Sequence, residues 1–210
     1  PAPHVRDGFS YISAISPFGG GRPHYISPRK YERVGTFVHE PEKVAPGVTM
    51  ISSAWSDHDW LNGIRVIDQQ GNILHKWDIN PVKIYPQSPH EDMAKGSKNF
   101  ADNYIHGAYL FANGDLLFNI EYLGLVRMNS CGEILWKLPY RTHHSISRNE
   151  DGNFWVSGQT WVTEADERKS LFPGLEAPFV EETAVLVSPT GEILKEISLL
   201  ESIYGAGAQD

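Results

Sequence analysis

Short runs of apolar residues, most of them four to six long, alternate along this chain with polar turns that contain glycine. Three such units can be superimposed: Gly63–Trp77, Gly124–Leu138 and Ala184–Ile197. Each is a strand of β-branched and other apolar residues, a polar turn centred on Gly71, Gly132 or Gly191, and a second strand opening Ile-Leu. The pattern predicts hairpins, because a tight turn needs the positive φ that glycine adopts without steric penalty. A second hairpin type is interleaved with the first. His106–Phe118 matches His144–Val156, with the histidine eight positions before the turn glycine, Gly114 or Gly152, in both. Val48–Trp55 is read as the degenerate counterpart in the preceding unit.

Two alternating hairpins make a four-stranded antiparallel unit, the blade of a β-propeller. The expected fold class is therefore all-β, a β-propeller with about three blades present, at residues 46–80, 104–140 and 143–200, the first incomplete. Residues 1–45, rich in proline and glycine, read as an irregular N-terminal arm with one short strand near Arg33–Val38, and 46–210 as the partial propeller. The glycine run beginning at Gly19 lacks the lysine and the strand–helix setting of a phosphate-binding loop and reads as plain loop. Longer insertions are expected at 81–103 and 160–182, where such loops either shape a binding face or pack over a blade edge. Propellers close with about four to eight blades. Additional sequence, or another chain, is therefore expected to complete the propeller.

Composition narrows the function more than the fold. A net charge of −8 with no run of Lys or Arg argues against nucleic acid as a partner, since such binding relies on neutralising phosphates. The single cysteine, Cys131, rules out an internal disulfide and a cysteine metal cluster. It reads as a small, partly buried side chain beside a turn. No apolar run approaches the ~20 residues of a membrane helix. Asp57-His58-Asp59 looks like a metal cluster only superficially, having no second ligand set at recognisable spacing, and no metal or cofactor is assigned to the chain.

The chemistry concentrates on the repeated histidines. Equivalent positions in successive blades point the same way, and the first strand of a blade lines the central channel, so His106 and His144 are expected to converge there. A neutral imidazole serves as nucleophile, general base or metal ligand. Alternatively, a repeated histidine holds the register between blades. In Arg141-Thr142-His143-His144 the two histidines should face opposite sides of a regular strand, with His144 inward. Arg141 is either a clamp for an anionic oxygen or an ordinary solvated charge.

Several stretches resemble the bacterial arylsulfotransferase family: Tyr31–Met50, Ile64–Trp77, His106–Asp115, Glu121–Arg127, Thr142–Ile146 and Gly191–Leu200. The likeness extends over most of residues 31–205. It implies a six-bladed propeller that moves a sulfuryl group from an aryl sulfate to a phenolic acceptor through a sulfohistidine. It also implies export to the periplasm or cell surface, with any membrane anchor outside these residues. On this resemblance His144 and His106 match channel histidines, Arg141 or Arg127 would clamp sulfate oxygens, and His143 lies beside them. The resemblance leaves the family's covalent histidine to one of these blades or to a later one. The alternative is a non-catalytic propeller, a scaffold or an accessory subunit of a larger assembly.

Overall fold

The computed structural model describes residues 27, 30–90 and 104–207. The glycine run of the arm lies outside them. The chain divides into two compact units, residues 1–87 with 94–104, and residues 88–93 with 105–210. It is all-β and built of propeller blades, as the hairpin repeats predict.

In the first unit, β1 (Thr49–Trp55), β2 (Leu61–Ile67) and β3 (Ile73–Asp78) form a three-stranded antiparallel sheet. The strand expected near Arg33–Val38 does not form. Gly35 sits at φ 101°, and Val34, Phe37 and Val38 stay exposed with no strand to pair with. This stretch is instead laid over the β2–β3 turn. The Gln69 side-chain amide donates to the Ala45 carbonyl at 3.1 Å, and a Cβ on Gly71 would meet Thr36 Oγ1 at 2.6 Å. After β1 a 3-10 turn, Ser56–His58, ends at Asp59, and Asp57 pairs with the largely buried Arg65, whose guanidinium stacks 3.7 Å from the Trp55 ring centroid. After β3, Asn80 caps the single-turn helix α1 (Pro81–Ile84), its side-chain oxygen accepting from the Val82 and Lys83 amides.

The second unit holds two four-stranded meanders. One is β4 (Ala108–Leu110), β5 (Leu116–Ile120), β6 (Gly124–Met128) and β7 (Ile134–Leu138). The other is β8 (Thr142–Arg148), β9 (Phe154–Val162), β10 (Phe179–Val187) and β11 (Ile193–Ser198), followed by the helix α2 (Leu199–Gly205). The outer hairpins β2–β3, β6–β7 and β10–β11 share one turn chemistry. The side-chain oxygen of Asp68, Asn129 or Ser188 accepts from the backbone amides two and four residues on. Each of these hairpins also shifts register once, at Val66/Ile67, Arg127/Met128 and Leu186/Val187. Cys131 occupies the turn position whose amide Asn129 holds. Its thiol is exposed rather than partly buried, because the turn projects it away from both strands.

The two meanders of this unit pack face to face. Leu117 and Leu125 meet Phe154, Val156, Val185 and Val187 in one buried cluster, flanked by Tyr109, Phe111, Trp136, Leu138, Tyr140 and Ile146. Burial of each large apolar side chain contributes roughly 1.5–3 kcal/mol. A polar grip closes one end of this interface. Arg127 donates to Asp115 and, at 2.8 Å, to the Pro189 carbonyl, which also accepts from the Trp136 indole at 3.0 Å. The indole also covers Gly191, where a Cβ would fall 2.8 Å from the ring.

The insertion between β9 and β10 is fastened from beneath. Glu181, almost fully buried, accepts from Arg168 at 3.0 Å and pairs with Ser198, while Arg168 also grips Asp166. The Arg168 guanidinium holds the Asp166 carboxyl below the usual range. Replacing Arg168 with alanine would leave the Glu181 carboxylate buried without its cation. The expected loss is about 1–2 kcal/mol, discounted because Arg168 is more than a third open to water. Urea unfolding with limited proteolysis checks it: R168A should be cut first within 163–178, and unchanged stability and cleavage would show that the latch is idle.

Candidate functional site

The site grows from a close approach of two backbones. The Asn119 amide donates to the Gly107 carbonyl at 3.1 Å, and the Gly107 amide donates to Asn119 Oδ1 at 3.3 Å. Asn119 Nδ2 then reaches across to the His144 carbonyl at 2.8 Å. Asn119 is fully buried, so these bonds use polar groups that water cannot satisfy. A Cβ on Gly107 would lie 2.0 Å from the His144 carbonyl oxygen, which makes glycine the residue that permits the approach.

His144 pays for this contact in conformation. Its φ is 53°, uncommon for a residue with a Cβ, and β8 loses register with β9 between His143 and Ile146. The expected opposition of His143 and His144 across a regular strand therefore does not hold. Their rings meet edge to face, with centroids 4.6 Å apart at 85°. Tyr122, in the β5–β6 turn, is the other non-glycine residue of this unit with positive φ, at 58° among the described residues. Its amide donates to the Thr142 carbonyl at 2.9 Å. Backbone strain of this kind persists only where surrounding bonds enforce it.

The bulge brings three imidazoles together. His106 Nδ1 and His144 Nδ1 are 3.1 Å apart, and the rings lie nearly parallel at 6°, centroids 5.2 Å apart. Both rings are exposed. Glu121 places Oε1 3.6 Å from His106 Nδ1. Behind them His143 is buried, with Nε2 bonded to Glu182 Oε2 at 2.8 Å and Nδ1 without a hydrogen-bond partner among the described residues. The Tyr122 ring lies 5.4 Å from His143, centroid to centroid. Burial, then the negative charges of Glu121 and Glu182, push its phenol above the usual range and keep it protonated.

Of the sequence-predicted site residues, His106, His144 and His143 are brought together here. Arg141 is buried just before β8, its carbonyl accepting from the Gln159 amide at 3.0 Å. Arg127 is held elsewhere, over the Phe111 ring and against Asp115 and Pro189. Sequence reasoning gave Glu121 and Tyr122 no chemistry and passed over Asn119 and Glu182. Glu182 left one signal, a pair of carboxylates, Glu181-Glu182, inside a mostly apolar strand.

No family model and no curated protein sequence matches the chain. Among solved structures it is similar to a streptogramin B lyase, with a TM-score of 0.37 and 14% identity over 67% of this chain and 35% of that one. It is also similar to a protein of unknown function from Bacteroides caccae, with a TM-score of 0.35 and 14% identity over 72% of this chain and 57% of that one. The chain thus spans less than two thirds of the length of either.

Proposed function

We propose that the His106–His144 pair transfers a sulfuryl group from an aryl sulfate to a phenolic acceptor, as the sequence resemblance to arylsulfotransferases implies. The observation that carries the reading is the contact of two exposed imidazoles through their Nδ1 atoms. In the first half-reaction an imidazole Nε2 forms an N–S bond as the aryl O–S bond breaks, and the phenolate leaves with the bonding pair. In the second, the acceptor phenol's oxygen bonds to sulfur as the N–S bond breaks, its pair returning to Nε2, and the phenol's proton passes to the phenolate released in the first step or to water. No electrons are exchanged with any redox partner. A site open to solvent on both rings admits the aryl sulfate, and export to the periplasm or cell surface belongs to the same proposal.

A second reading, a non-catalytic propeller platform, is favoured by one feature. Two carboxylates, Glu121 and Glu182, stand beside the histidines, and Arg127 is engaged elsewhere, so an anionic sulfate meets negative charge here. Incubating the 210-residue chain with 4-nitrophenyl sulfate and measuring intact mass separates the readings. A gain of one sulfuryl group, discharged by added phenol, is the expected result. His144→Ala and His106→Ala remove exposed rings, so both variants should fold and lose nitrophenol release by at least about a hundredfold. Turnover retained in both variants would remove the pair from the reaction and leave the platform reading.

A further inference from the structure

Two imidazoles joined through their Nδ1 atoms hold one proton between them. The ring that carries that proton donates it and is left with a lone pair on Nε2. The other ring accepts at Nδ1, so its own proton sits on Nε2. A neutral pair of this kind therefore always shows the outside one nucleophilic nitrogen and one N–H. Which ring plays which part depends on what else faces the shared proton.

Here the two rings are not equivalent. Glu121 Oε1 lies 3.6 Å from His106 Nδ1, and its side chain is mostly shielded from water. Of the other titratable groups around the pair, the Tyr122 phenol bonds to Glu121 itself, while Glu182 and Arg141 are engaged elsewhere. Glu182 is bonded to His143 Nε2, and the His143 ring meets His144 by its edge. The Tyr122 ring packs against His143, and Arg141 is buried at the head of β8. The carboxylate that addresses the shared proton is thus on the His106 side.

We infer that Glu121 is a positioning residue that holds the shared proton on His106 Nδ1, so that His106 presents the lone pair on Nε2 and His144 presents an N–H. Assigning His106 as the nucleophile and His144 as the donor to a sulfate oxygen rests on the sulfuryl-transfer reading. The proton's place does not, because it follows from where the Glu121 carboxylate stands against the ring pair. The arrangement fits a ligand that offers an electrophilic centre to one nitrogen and an anionic oxygen to the other. Asn119 and Gly107 serve it by fixing the backbone that brings the rings into register.

The test is tautomer-resolved ¹⁵N NMR of the histidine-labelled chain, at about pH 8.5 where free imidazoles are neutral, with resonances assigned by single His→Gln variants. The expected wild-type spectrum shows His106 protonated on Nδ1 and His144 on Nε2. In Glu121→Gln the His106 Nδ1–H population relative to Nε2–H should fall by about fivefold, the electrostatic effect of removing a carboxylate charge 3.6 Å from that nitrogen. Glu121→Asp, which keeps the charge, should restore it. His143, governed by Glu182, is the internal control, and its unchanged signals show that the variants are folded. A wild-type His106 protonated on Nε2, or a ratio unmoved in Glu121→Gln, would overturn the assignment. The measurement needs no aryl sulfate, so its failure and that of the sulfuryl-transfer reading are separate results.

Discussion

Gly107→Ala is expected to destabilise the second unit by about 3 kcal/mol or more, although it adds a single methyl group. The new Cβ would lie 2.0 Å from the His144 carbonyl oxygen and 3.0 Å from Asn119 Nδ2. The first of these atoms is backbone, so no side-chain rotation relieves the clash. Moving the carbonyl breaks its 2.8 Å bond from Asn119 and leaves a fully buried amide unsatisfied. Overpacking costs about 1–3 kcal/mol and the orphaned donor about 1–3 more. For a unit of this size the melting temperature should fall by roughly 10–20 °C. Gly107 does not have positive φ, so the whole effect is steric. Thermal unfolding followed by circular dichroism reads it, and a change of only about 2 °C would show that the two strands do not approach so closely in solution.

The same junction shows what the sequence could and could not reveal. The hairpins were legible because turn chemistry is local: Gly71, Gly132 and Gly191 recur at matched places, preceded by Asp68, Asn129 and Ser188. The repeat also marked His106 and His144 as equivalent, and they do meet. What lay beyond reading was the bulge. Nothing in Thr142–Ile146 announces that His144 takes a left-handed backbone, because Asn119, 25 positions earlier, imposes it. Period-two logic then placed His143 and His144 on opposite faces, where the structure sets their rings edge to face. The strand expected at Arg33–Val38 failed for a related reason. Its apolar residues suit a strand, but a strand also needs a partner edge, and the arm finds a turn instead. Glu121 and Glu182 acquire meaning only once folding has brought histidines to them.

Truncating Phe154 to alanine should cost about 4 kcal/mol and reach the site from a distance. The ring is fully buried at the start of β9 and is met by two aromatic rings from the neighbouring meander. Tyr109 lies 5.1 Å away at 64° and Phe111 5.4 Å away at 66°. Phe→Ala in a packed core costs about 3–5 kcal/mol, with edge-to-face pairing contributing about 0.5–1.5 per ring in well-formed cases. These contributions overlap, so their sum is not the expectation. Trp155, one residue on and therefore on the opposite face of the strand, is only half-buried, and Trp155→Ala should cost less despite removing a larger side chain. Phe154 pairs with Arg148 of β8, the strand that carries His143 and His144. A cavity there loosens one meander against the other, and with it the registration of His144 on His106. Chemical denaturation should rank Phe154→Ala well below Phe154→Leu, which refills most of the volume. A loss under about 1 kcal/mol for the alanine variant would mean that the two meanders are held by Arg127 and Trp136 on the β10–β11 turn rather than by this cluster.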